Sequence, residues 1–254
     1  MKVIKICAAL LALVLCAPLA NAQLYGLNAE SPRSHQIEIK FGAYMPGIDS
    51  EKGVNAYEVM FEENSIFMSR FEYNYQFWKS FGSLALGVEL GYGQVTGSGR
   101  ELSASTEDSP VTYAGKSSDE TQLMIVPMSL SLVYQFDVMA TRWNVPLVPF
   151  LKAGLDYNIW WITDGVEEVA SYTPDGGKKL EGYGDTFGWH VSAGIKLLLD
   201  VFAPNMAKTF DNEVGVNNSY LVAEYVYSDI NDFGSKKSFQ LGDSWLMFGL
   251  AFEY

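Results

Sequence analysis

From Leu84 onward the chain alternates: Leu84, Leu86, Val88, Leu90 and Tyr92 hold every second position, with Ala85, Gly87, Glu89, Gly91 and Gly93 between them. A period of two puts one wholly apolar face against a small or charged one, which predicts a β-strand. The pattern recurs in about eight segments of roughly ten or more residues. They are Gln36–Met45, Ile66–Trp78, Leu84–Thr96, Gln122–Asp137, Leu147–Trp161, Thr186–Val201, Ser219–Ser228 and Ser244–Tyr254. The apolar faces are bulky. Phe67, Phe71, Tyr73, Tyr75 and Phe77 line the second segment, and Leu246, Phe248, Leu250, Phe252 and Tyr254 line the last.

The opposite faces carry the charges: Glu38, Lys40, Arg70, Glu72, Glu89, Lys152, Asp156, His190, Lys196, Asp200, Glu224 and Glu253. In a water-soluble sandwich these would be the surface and the apolar residues the core. Strand length argues the reverse, because soluble strands average about five or six residues and membrane strands need about nine to eleven. So does the spacing of the links. Short ones (Lys79–Ser83, Val138–Pro146) alternate with long polar ones (Gly97–Thr121, Ile162–Asp185), as turns and outer loops do in a membrane barrel. The Ala203–Asn218 link breaks that rule, being long where a short turn is due. Aromatic residues gather at strand ends (Tyr75, Phe77, Trp78; Tyr157, Trp160, Trp161; Trp189), as interfacial girdles do.

The reading is a transmembrane antiparallel β-barrel of about eight strands with up-and-down topology. A barrel that size has an interior just wide enough for side chains to fill. The inward charges are then expected to pair across neighbouring strands, Glu38 and Lys40 opposite Arg70 and Glu72, with Lys196 and Asp200 flanking Glu224. The filled lumen is favoured over an open pore.

Composition adds location. Of 254 residues 14% are aromatic and 19% charged, with a net charge of -13. Residues 1–22 read as an export signal: Lys2 and Lys5, an apolar run from Ile6 to Leu15, and Ala20-Asn21-Ala22 before the cut, leaving 23–254 as the barrel domain. Both cysteines, Cys7 and Cys16, lie in that segment, so the mature chain is expected to lack disulfides, thiolate zinc sites and thiol nucleophiles. An acidic exported chain is also a poor match for nucleic acid.

Four stretches carry a resemblance: Phe41-Gly42-Ala43-Tyr44-Met45-Pro46 with Asp49, Pro146 to Leu155, Ser219 to Tyr225, and Gly249 to Tyr254. Through them the chain resembles a little-characterised family of outer-membrane β-barrel proteins first catalogued in myxobacteria-like Gram-negative bacteria. The resemblance implies an OmpA/OmpX-type barrel in the outer membrane among lipid and lipopolysaccharide, and no catalytic residues. The closing pattern Phe248, Leu250, Phe252, Tyr254 is similar to the signal read by the barrel-assembly machinery.

The expected role is structural or surface-interactive, as a monomer without cofactor. A small-solute channel is the alternative, and a lipid A-directed enzyme the second. For the enzyme, His190 is expected near Asp156, Asn158 and Ser228, but no Gly-x-Ser-x-Gly or His-Glu-x-x-His motif accompanies it. The long links are acidic, with Glu101, Glu107, Asp108, Asp119 and Glu120 in one and Asp164, Glu167, Glu168, Asp175, Glu181 and Asp185 in the other. Such carboxylates suit divalent cations bridging to lipopolysaccharide phosphates, or a plain solvated rim. No calcium-loop spacing singles out a metal ligand.

Overall fold

The computed structural model describes residues 34–254 except 51–55, 63, 103–112, 144, 166–167, 174–176, 178 and 236–237. The expected export signal, 1–22, lies outside the described residues.

Eight antiparallel strands close into one barrel: β1 (His35–Tyr44), β2 (Ile66–Ser80), β3 (Gly82–Leu102), β4 (Tyr113–Gln135), β5 (Leu147–Thr163), β6 (Tyr183–Leu198), β7 (Asn218–Ile230) and β8 (Asp243–Glu253). Each pairs with its neighbour in sequence, and β1 pairs with β8 to close the ring, with Ile37 opposite Phe252 and Phe41 opposite Phe248. Closure matters because an open edge would leave a row of backbone groups unpaired. Among the described residues no helix is long and apolar enough to cross a membrane.

The period of two resolves as the alternation requires. Phe67, Leu86, Val88, Leu130, Leu132, Leu155, Phe187, Val191, Leu246, Phe248 and Leu250 all point outward and are exposed. Glu38, Lys40, Arg70, Glu72, Glu89, Lys152, Asp156, His190, Lys196 and Glu224 point inward and are buried. This inverts a soluble protein: the bulky apolar residues form the outer belt and the ions the interior.

One rim, here the lower, carries the starts of β1 and β3 and the end of β8. Its connections are the turn at Phe81, the link 136–146 with helix α2 (Val138–Trp143), and the link 199–217 with helix α3 (Pro204–Val214). The upper rim carries the end of β3 and the start of β4, with the links 45–65, 164–182 and 231–242. Within 45–65 sit a short 3-10 turn (Gly47–Ser50) and helix α1 (Ala56–Phe61). The link 164–182 folds a small hairpin in which Ser171–Tyr172 pairs with Leu180–Glu181.

The link at 203–218 is long, as expected, and it holds helix α3. Two expectations need correction. The Gly97–Thr121 link is mostly strand, because β3 runs to Leu102 and β4 starts at Tyr113. The sixth strand ends at Leu198 rather than Val201. There the chain turns, with Phe202 N–H donating to Leu199 O (3.0 Å) and Pro204 opening α3. Asp200 therefore lies in a lower-rim turn and not in the lumen. Its Oδ1 accepts the backbone N–H of Ser219 at 3.2 Å, which ties the turn to β7.

Candidate functional site

The interior is built by register. Glu38 faces Glu72 directly across β1–β2, Glu72 faces Glu89 across β2–β3, and Lys40 faces Arg70. Like charges directly opposite are unfavourable, so of the expected neighbouring-strand pairs Lys40 with Glu72 forms on the diagonal, while Glu38 turns away from Arg70 to Lys152 and Lys196. The long side chains reach diagonally and across the lumen instead.

Lys40 Nζ stands 2.6 Å from Glu72 Oε2, 2.7 Å from Glu224 Oε2 and 2.8 Å from Glu89 Oε2. Lys152 Nζ lies 2.6 Å from the same Glu72 oxygen and 3.3 Å from both Glu38 Oε2 and Glu224 Oε2. Arg70 Nη1 donates to Glu89 Oε1 at 2.5 Å. Lys196 Nζ donates to Glu38 Oε1 (2.6 Å), Gln36 Oε1 (2.7 Å) and Gln135 Oε1 (3.1 Å). It does not flank Glu224 with Asp200; Glu224 takes Lys40, Lys152 and the Ser192 hydroxyl, the last at 2.6 Å.

Glu38, Glu72, Glu89 and Glu224 thus oppose Lys40, Arg70, Lys152 and Lys196 in a buried layer whose formal charges balance. Two unit charges about 4 Å apart attract by roughly 4 kcal/mol at an effective dielectric near 20. Desolvation consumes much of that, and geometry this close with further hydrogen bonds is what offsets it. Glu38, Glu72 and Glu224 each bring a carboxylate oxygen within 4.8 Å of the others, a spacing that suits a cation. The ammonium groups of Lys40 and Lys152 fill that role.

Two aromatic residues absent from the sequence reading frame the layer. The Phe150 ring lies 4.9 Å from Lys152 Nζ and 5.0 Å from Lys196 Nζ, and Trp245 lies 5.1 Å from Arg70 Cζ. Their signal was parity alone, since both share the inward register of the charges. So do Gln36, Asn74 and Gln135, which complete the hydrogen bonds.

Above the ions the lumen turns apolar. Tyr44, Ile48, Tyr57, Phe61, Ile66, Met68, Val95, Leu123, Ile125, Val226, Ile230, Leu241, Trp245 and Met247 form one buried cluster at the upper end. Helix α1 supplies Tyr57 and Phe61. Asp49 holds its first turn, accepting the N–H of Tyr57 on Oδ1 (2.9 Å) and of Glu58 on Oδ2 (2.8 Å). Tyr57 donates its hydroxyl to Asn64 O at 2.6 Å. Burial, with Asp49 close by, pushes that hydroxyl well above the usual tyrosine range, so it stays a donor. Below the ions Val148, Phe150, Tyr220, Val222 and Ala251 form a second apolar group. Glu253 there accepts from Gln76, Asn218 and Tyr220.

Between ions and upper cap lies one arrangement with the outline of a hydrolytic triad. His190 Nδ1 stands 2.9 Å from Asp156 Oδ2, and Nε2 stands 3.1 Å from Ser131 Oγ. Gly154 makes the room, because a Cβ there would come within 2.6 Å of Ser131 Oγ and 2.7 Å of His190 Cε1. The hydroxyl is Ser131 on β4, not the expected Ser228, which is engaged with the backbone of Asp243. All three members are buried, and the backbone around them is committed to the β3–β4–β5–β6 ladders. The carboxylates Glu101, Glu107, Asp108, Asp119, Glu167 and Asp175 of the upper links lie outside the described side chains.

No family model matches the chain, and no curated protein matches it. The kinship suggested by Phe41–Pro46 and Pro146–Leu155 therefore stays a resemblance. Among solved structures the chain is similar to the outer membrane protein OprG of Pseudomonas aeruginosa, at 14% identity and a TM-score of 0.47, covering 90% of this chain and 99% of that one. It is similar also to Neisserial surface protein A (16%, TM-score 0.43, 87% and 96%) and to Ail, the attachment invasion locus protein of Yersinia pestis (10%, TM-score 0.39, 87% and 97%). At these values the likeness is one of barrel architecture.

Proposed function

We propose that this chain is an integral barrel of a bacterial outer membrane with a structural or surface-interaction role: a sealed, rigid anchor that holds its upper-rim links outside the cell. The observation that carries this reading is the balanced layer of four carboxylates and four cations, drawn from β1, β2, β3, β5, β6 and β7, under an apolar cap. A conducting pore needs a continuous water path, and each charge here is turned toward another side chain. The outward belt supports membrane insertion, since a closed barrel satisfies its own backbone in lipid. In this reading lipid and lipopolysaccharide surround a monomer, and the assembly machinery reads Phe248, Leu250, Phe252 and Tyr254 on the closing strand.

Conductance across a planar bilayer tests it, once heat-modifiable gel mobility certifies a folded barrel. Folded protein is expected to stay silent. Discrete, salt-dependent openings would overturn the sealed reading and put small-solute transport in its place.

One observation favours a second reading, hydrolysis, and it is the Ser131–His190–Asp156 alignment. The proposal is that these residues are structural, a hydroxyl, an imidazole and a carboxylate satisfying one another inside a packed lumen. A fluorophosphonate reagent is expected to leave Ser131 unmodified in folded protein. Stoichiometric labelling at Ser131, abolished in His190→Ala, would favour an esterase.

A further inference from the structure

Helix α3 occupies the lower-rim link 199–217, where a barrel ordinarily needs only a short turn. Its 11 residues sort by the helical period. Met206, Phe210 and Val214, spaced i, i+4, i+8, share one narrow arc with Ala207; Lys208, Thr209 and Asn212 lie away from it, and Glu213 borders it beside Met206. None of the described residues buries that arc. No residue of α3 is buried, and Met206 is 74% exposed and Val214 60%. Phe202, just before the helix, is 70% exposed.

The position of the helix shows what the arc adjoins. The Phe210 ring stands edge-on to Phe252, centroids 6.3 Å apart. Phe252 belongs to the outward face of β8, in line with Phe248 and Leu250. The helix therefore sits at the foot of the apolar belt and not over the mouth of the lumen, and its arc continues the belt.

We propose that α3 is an interfacial helix, seated in the headgroup–acyl boundary of the lower, periplasmic leaflet with Phe202, Met206, Phe210 and Val214 in lipid. The proposal rests on the membrane-barrel reading above and extends it. A bilayer that covers Phe252 reaches Phe210 without a further partner, so lipid is the occupant. At about 1.5 Å per residue the helix is far too short to span, and it lies in the plane of the interface. With Lys208 against Asp211 and Glu213 it offers no basic face to anionic headgroups, so burial of apolar area drives its seating and zwitterionic lipid suffices. The device fixes the depth of the barrel in the leaflet, as a flange does.

Site-directed spin labelling tests it. The full chain with Cys7→Ser and Cys16→Ser, its only two cysteines, accepts single cysteines at Met206, Val214, Asn212 and, in the belt, Leu250. Refolded into phosphatidylcholine vesicles, each label is compared for collision with oxygen, which partitions into lipid, and with a water-soluble nickel chelate. Labels at Met206 and Val214 are expected to match Leu250, with an oxygen-to-nickel ratio several-fold above Asn212. Water-like collision at Met206 and Val214 with lipid-like collision at Leu250 overturns the interfacial helix and leaves the barrel standing. Water-like collision at Leu250 as well removes the membrane reading and the helix with it. A Phe210→Asp variant that still shows heat-modifiable mobility is expected to move the Val214 label into water; an unmoved label counts against the seating.

Discussion

Lys196 has no exposed surface, and its ammonium is held by Glu38, Gln36 and Gln135 between β6, β1 and β4. Lys196→Met keeps the volume and removes the charge, leaving Glu38 with Lys152 at 3.3 Å, Lys40 at 3.9 Å and the Asn74 amide at 3.2 Å. Breaking a buried pair from one side costs about 3–5 kcal/mol, because the remaining charge is left short of partners. Urea unfolding in phospholipid vesicles is expected to show a loss of that order. Adding Glu38→Gln is expected to restore part of it, and single and double variants of equal stability would remove Lys196 from the network. The membership of this layer was legible in the sequence because its charges all take the parity opposite the bulky apolar residues of their strands. Of the pairings only Lys40 with Glu72 was legible. They depend on register between strands, and register here sets Glu38 against Glu72, so the partners are diagonal or across the barrel. Asp200 kept the parity but lay past the strand's end, where parity stops meaning inward. Phe150 and Gln135 were hidden for a different reason: an uncharged residue on the inward parity carries no charge to mark it.

Helix α1 depends on Asp49 more than its six residues would suggest. One carboxylate takes two backbone N–H groups of the first turn, and the helix it fixes carries Tyr57 and Phe61 into the upper cap. Asp49→Asn keeps the shape but gives up the charged acceptor, a loss of about 1–2 kcal/mol for a charge-assisted cap. Hydrogen exchange of the Tyr57 and Glu58 amides is expected to speed about tenfold or more while the strand amides stay protected; unchanged protection at Tyr57 would mean the cap holds α1 without Asp49. The closing seam poses another constraint. A Cβ at Gly249 would stand 2.0 Å from Ile39 O and 2.8 Å from Lys40 Cα, so the two strands meet too closely for any side chain. Gly249→Ala is expected to lower the temperature at which the heat-modifiable band shifts, and an unshifted temperature would show that the seam gives way without cost. All three helices escaped a reading tuned to a period of two: α1 and α2 have only six residues each, and the i, i+4 spacing of α3 sits between two strong strands.

Across the molecule the lumen is stacked in three layers, an apolar cap, a neutral ion layer and an apolar floor with Glu253. Each layer blocks water by a different means. The cap excludes it by packing, while the ions exclude it by turning each charge toward an opposite one. The two barriers lie in series, so opening one leaves the other shut. Phe61→Ser with Trp245→Ser hollows the cap and removes the ring above Arg70, yet leaves the eight charges paired. That double variant is expected to lose stability by several kcal/mol, as large aromatic deletions in packed regions do. It is nonetheless expected to pass no current in a planar bilayer. Steady conductance from the folded variant would place the seal in the cap alone and reduce the ion layer to a stabilising framework. Continued silence, with conductance appearing only when Lys40→Ser is added, would place the last barrier among the carboxylates that Lys40 holds together.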